Sequence, residues 1–115
     1  MRVGAFTLIV PDYDTGLAFY VGVLGFRLIN DIDQGHKRWI TVQASGGGPH
    51  IVLARAENNQ QRAAIGAQGG GRVWLFLETD DFARDHARML AAGITFEEPP
   101  RYEEYGTVAV WRDPF

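Results

Sequence analysis

Three histidines, His36, His50 and His86, are the side chains of this sequence whose ordinary pKa lies nearest neutral pH. Each could in principle move a proton or ligate a metal. His50 opens an apolar run and alternates with Val52 and Ala54, so it belongs to one face of a strand. There it is a candidate general base or a hydrogen-bond donor to a ligand. The simpler reading is a strand-end histidine half in solvent. His36 stands in a turn beside Lys37 and Arg38 and reads as a solvated residue. His86 falls mid-helix, four residues from both Phe82 and Leu90, and reads as a packing residue. Glu78 is the one carboxylate in an otherwise apolar run. Desolvation there would raise its pKa and make it an acid or base. A rim carboxylate paired with an arginine is the blander alternative.

Several chemistries are excluded. With no cysteine there is no disulfide, thiolate zinc site, iron–sulfur cluster or cysteine nucleophile. Gly46-Gly47-Gly48 and Gly69-Gly70-Gly71 fit neither a dinucleotide fingerprint nor a P-loop. No G-x-S-x-G elbow is present. Glu97-Glu98 and Glu103-Glu104 read as solvated loop charges. The three tryptophans, Trp39, Trp74 and Trp111, all fall on strand patterns. Indole faces suit planar ligands, but they also fill cores.

The elements that must position these residues follow from periodicity. Arg2–Val10 reads as a strand ended by Pro11-Asp12, and Asp14–Leu24 as an amphipathic helix closed by Gly25. Phe26–Asp33, Lys37–Ala44 and His50–Ala54 read as three more strands. Residues 1–54 are therefore β-α-β-β-β. Residues 55–71 are polar and glycine-rich and read as a linker, with a helical turn near Arg62–Ile65. The pattern then restarts over residues 72–115. Arg72–Thr79 reads as a strand, and Asp80-Asp81 cap a helix whose inward stripe is Phe82, His86, Met89 and Leu90. Ile94–Glu98 and Thr107–Arg112 read as strands. The two halves superimpose at an offset of about 69 residues, with Val10-Pro11-Asp12 over Thr79-Asp80-Asp81. The second copy lacks its fourth strand before the sequence stops at Phe115. A longer chain or a partner that completes the edge is expected.

Composition sets the frame. At 115 residues and 46% apolar content, one domain can bury roughly two-thirds of its surface. Eleven basic and 14 acidic residues leave a net charge of −3, which removes the electrostatic basis for nonspecific nucleic-acid binding. No long apolar run indicates a membrane span or signal peptide, so no membrane partner and a cytoplasmic location are expected.

Four segments in this order resemble one family. They are Phe6–Asp12, Ala18–Phe26 with its FY…VLGF ending, Trp74–Asp81, and Tyr105–Phe115 ending in Asp113-Pro114. Together they resemble the glyoxalase/bleomycin-resistance/extradiol-dioxygenase (vicinal oxygen chelate) superfamily. The resemblance implies an α+β fold. Two tandem βαβββ modules would form a half-closed, barrel-like cleft, with helices on the convex face and the last strand missing from this sequence.

It also implies a metal site on the first, fourth, fifth and eighth strands of such relatives. Here those positions fall on Ala5, on Val52 (or His50 after a two-residue slip), on Trp74, and beyond Phe115. Ala, Val and Trp side chains cannot ligate a metal. The expectation is therefore no metal and no other cofactor, with a divalent metal conceivable only on displaced ligands. The register of the resemblance turns Thr7, Trp39, Thr41, His50, Trp74 and Phe76 toward a cleft and places Tyr105 on a lid loop. The expected function is a homodimeric protein that binds a planar or apolar small molecule. The alternative is a lyase, isomerase or dioxygenase that uses a displaced metal, or His50 and Glu78 without one.

Overall fold

A computed structural model describes all 115 residues. The chain divides into two units, Met1–Trp74 together with Phe115, and Leu75–Pro114. The fold is mixed α+β.

The first unit is built on a four-stranded sheet in the order β1-β4-β3-β2. Its strands are β1 (Ala5–Val10), β2 (Arg27–Asp33), β3 (Arg38–Gln43) and β4 (His50–Arg55). β1 runs parallel to β4, whereas β4–β3 and β3–β2 are antiparallel. The pleat sends alternate residues to opposite faces. One face carries Leu8, Val10, Ile40, Val42, Ile51 and Leu53, all at most 2% exposed. Each such side chain contributes about 1.5–3 kcal/mol on burial. Helix α1 (Tyr13–Leu17) approaches this face. Asp12 caps it, with Oδ1 accepting from the Thr15 N–H at 2.7 Å. Gly16 allows the close approach: a Cβ there would stand 3.2 Å from both Leu53 Cδ1 and Val10 Cγ1.

The expected continuous helix to Leu24 is instead interrupted. After α1 the chain widens into a π-helical turn, Ala18–Val23, with the Leu24 N–H bonded to Phe19 O at 2.8 Å. Phe19, Tyr20, Leu24 and Phe26 are buried behind it. Phe115 joins this cluster, stacked on Tyr20 at 6.4 Å and edge-on to Phe19 at 6.2 Å. The Phe115 ring belongs to the core because its apolar surface finds Tyr20 and Phe19 there.

The stretch expected to be a linker is more ordered than its composition implies. α2 (Asn59–Ala64) is capped by Asn58, which accepts from the Gln61 N–H, while Gln61 Oε1 accepts from the Glu57 N–H. That is a capping box in all but one residue of register. Farther on, the Gln68 amide takes the place of a neighbouring strand on the β1 edge. Its Nε2 donates to Ile9 O at 2.7 Å and to Phe115 O at 3.2 Å, and its Oε1 accepts from the Ile9 N–H at 3.4 Å. Gly69 has no room for a side chain, since a Cβ would lie 2.3 Å from Arg72 O.

The second unit holds α3 (Phe82–Ala91) and two short ribbons. β5 (Thr95–Phe96) pairs with β8 (Trp111–Arg112), and β6 (Arg101–Glu103) pairs with β7 (Gly106–Val108). Asp81 caps α3. His86 stacks on Phe82 at 5.4 Å and meets Phe96 edge-on at 4.7 Å, which confirms a packing role. Met89 and Ile94 are buried, but Leu90 is 51% exposed and leaves the expected inward stripe. Two strand expectations are corrected here. Residues 72–79 join no ladder, because a strand exists only where a second backbone pairs with it, and none does. The strand expected over Thr107–Arg112 splits into β7 and β8, each with a different partner. No helix is long and apolar enough to cross a membrane.

Gly16→Val is expected to lower the unfolding free energy by about 2–3 kcal/mol, read by urea denaturation, because the added methyls meet Val10 and Leu53. Gln68→Ala should cost about 1–2 kcal/mol by orphaning the Ile9 backbone groups. No loss in Gln68→Ala would mean that water replaces the amide without penalty.

Candidate functional site

The second face of the four-stranded sheet carries the sequence-derived candidates. By register, Ala5 lies beside His50, Thr7 beside Val52, and Val52 beside Thr41. Trp39 precedes Thr41 by two residues and pairs with Ile32 of β2. Thr7, Trp39, Thr41 and His50 therefore share one face, opposite to the packed core. Their exposure differs. Trp39 is 39% and Ile32 51% exposed, Thr7 is exposed, and His50 and Val52 are half-buried. Thr41 is buried, with its hydroxyl accepting from Asn30 Nδ2 at 2.7 Å. The result is a flat apolar surface of indole and isoleucine beside a hydroxyl–amide pair.

Asn30 and Ile32 were not among the sequence candidates. The reason is a register shift between Leu28 and Asn30. The bulge reverses the phase of β2, so simple alternation assigns these residues to the wrong face. Only a pairing list can reveal that.

The remaining candidates are placed elsewhere. Trp74 belongs to the first unit but packs edge-on to Phe6 at 6.2 Å, and Phe6 alternates with Thr7 onto the other face. Phe76 and Tyr105 belong to the second unit and are 80% and 79% exposed. Glu78 is exposed in the unpaired segment, so the burial that its acid–base reading required is missing. Trp111 is half-buried in β8.

A metal does not fit this set of residues. On the candidate face Ala5 and Val52 flank His50 and offer no donor atom. No group of three or more His, Asp or Glu side chains in the chain is arranged to hold an ion. What the face can do chemically is bind: it offers apolar contact from Trp39 and Ile32, hydroxyls from Thr7 and Thr41, and one imidazole.

At the end of the sheet, on the packed face, Arg38 ties β3 to its surroundings. Its guanidinium grips Asp31 through both carboxylate oxygens, at 2.7 and 3.1 Å, and reaches Asp14 at 2.9 Å. Hydrogen bonds from Arg38 hold the Asp31 carboxyl below the usual carboxylate range. A depressed carboxylate contributes stability that is present above its unfolded pKa, about 3.9, and lost as pH falls through the lower folded value.

Comparison with known proteins agrees with the fold. A family profile described as "Glyoxalase/Bleomycin resistance protein/Dioxygenase superfamily" matches residues 2–115. An uncharacterized protein of Shewanella frigidimarina (strain NCIMB 400) is 50% identical over 109 residues, spanning 92% of this chain and 81% of that one. Among solved structures, UcmS2 superimposes with a TM-score of 0.83 at 28% identity, covering 98% of this chain and 90% of its own. TnmS3, described as an antibiotic binding protein from Streptomyces sp. CB03234, superimposes with a TM-score of 0.77 at 29% identity, covering 99% and 88%.

Two measurements check this geometry. Trp39→Phe should lower the acrylamide quenching of tryptophan emission, because it removes an exposed indole, and should shift the melting temperature by no more than about 2 °C. In acid titrations, Asp31→Asn should flatten the decline in stability below about pH 4. An unchanged decline would place the acid sensitivity on other carboxylates.

Proposed function

The chain belongs to the glyoxalase/bleomycin resistance protein/dioxygenase superfamily, and from that membership we propose that it is a cytoplasmic binding protein which sequesters a planar, largely apolar small molecule without a metal. The observation that carries this reading is the exposed indole of Trp39. It lies beside Ile32 on a sheet face that also presents Thr7, Thr41 and His50. TnmS3, similar along nearly the whole chain, is an antibiotic binding protein by its description, which supports the same class of activity.

Magnitudes refine the proposal. Covering roughly 100 Å² of indole and isoleucine contributes about 2.5 kcal/mol. Micromolar affinity needs about 8 kcal/mol. One flat face is thus insufficient, and a planar ligand must be covered on its other side as well. A second copy of the chain is the proposed source of that surface, which makes the functional form a homodimer.

The competing reading is an enzyme of the same superfamily. His50 is the observation that favours it, as a half-buried imidazole on the candidate face. Without ligating neighbours it would act as a metal-free base.

The deciding experiment is a melt-shift screen of planar polycyclic compounds, followed by titration through tryptophan emission. A hit should bind with micromolar affinity, and Trp39→Ala should weaken it at least tenfold. Phe76→Ala and Tyr105→Ala are titrated alongside. Equal affinity in Trp39→Ala would sink the proposal. Chelator treatment of the purified protein should leave its melting temperature unchanged. A stoichiometric metal whose removal lowers that temperature would transfer the case to the enzyme.

A further inference from the structure

A cavity of about 330 Å³ opens on the packed side of the first unit's sheet, opposite to Trp39. It lies where the N-terminal end of α1, the β2–β3 turn and the end of β4 converge. Arg38 stands two residues before the buried Ile40 and Arg55 two after the buried Leu53, so by alternation both project to this side. Both guanidiniums come to the Tyr13 ring, 5.5 and 5.2 Å from its centroid. The Tyr13 hydroxyl accepts from the Arg38 backbone N–H at 3.3 Å and fixes the ring in place. Lys37 and His36 also line the cavity.

Three carboxylates also line the cavity; each accepts a hydrogen bond within the chain, and Asp14 is paired with a cation. Asp12 accepts from the Thr15 N–H and hydroxyl, both at 2.7 Å. Asp14 accepts from Arg38 at 2.9 Å, and Asp33 from the Gly35 N–H at 2.8 Å. Arg38 is satisfied by Asp14 and Asp31. The other cations are less tightly held. Arg55 donates to the His36 carbonyl at 3.2 Å, and its ion pair with Glu57 is long, at 3.9 Å. The Lys37 ammonium has no partner in the chain. Two guanidiniums on one ring, one gripped by two carboxylates and the other held only by a long ion pair, form an arrangement that an anion would complete.

We propose that this cavity is a second ligand site, for a small oxyanion (a carboxylate or phosphate group) held by Arg55 and Lys37, with His36 at its edge. It is separate from the face that carries Trp39 and does not rest on the function proposed for that face. The Arg55 fork supplies paired N–H donors to two oxygens, Lys37 a point charge, and Tyr13 holds the fork in position.

The test titrates inorganic phosphate and malonate into the full chain at constant ionic strength, by calorimetry and thermal melting. At least one should bind saturably with a Kd near or below about 1 mM. Which one binds more tightly names the source of the oxyanion. Lys37→Gln and Arg55→Gln should each weaken it at least tenfold. The Lys37 side chain makes no hydrogen bond or ion pair, so Lys37→Gln should melt within about 2 °C of the parent and keeps the test decisive if Arg55→Gln folds poorly. Trp39→Ala should leave oxyanion affinity unchanged, whatever it does to planar ligands. Heats that never saturate, or a melting rise shared equally by Lys37→Gln as general salt stabilisation, would overturn the proposal.

Discussion

The alternation of the four-stranded sheet is the constraint from which the first unit follows. Leu8, Val10, Ile40, Val42, Ile51 and Leu53 can be buried only if every second residue of β1, β3 and β4 faces the other way. Trp39, Thr41, His50 and Thr7 are therefore delivered to one surface by the same pairing that builds the core. A slip of one residue in β3 would bury Trp39 and expose Ile40. Packing energy on one side thus protects the geometry of the other.

Two small features let that sheet be covered. Gly16 lets α1 come within van der Waals contact of Val10 and Leu53. The π-helical turn then carries Phe19 and Tyr20 into the core, where they meet Phe115. Arg38 acts at the far end as a polar counterpart, joining α1 through Asp14 and β2 through Asp31. Its bonds are exposed, so their net contribution is modest. Their effect is chiefly to orient the side chains around Tyr13.

Much of the first unit was legible in the sequence. The strands read over Lys37–Ala44 and His50–Ala54 match β3 and β4 to within one residue at each end. His86 was readable as a packing residue from its spacing to Phe82. The second unit was read less well. Arg72–Thr79 has strand-like composition but no ladder partner, and β7 and β8 divide what reads as one strand. Propensity describes how a residue suits a pleated surface; it does not supply the neighbouring backbone.

For the candidate site the division is sharper. The sequence by itself determined the family, through the order of its segments, and determined that Ala5, Val52 and Trp74 cannot hold a metal. Those are properties of residue type, which spacing and chemistry express locally. The tertiary structure alone decided that Asn30 and Ile32 join Trp39, because a bulge in β2 resets the phase. It also decided that Trp74 packs on Phe6 instead of standing beside Thr7. And it brought Arg38 and Arg55, 17 positions apart, to a single tyrosine ring. Each depends on which backbone lies beside which, a long-range relation that no local pattern encodes.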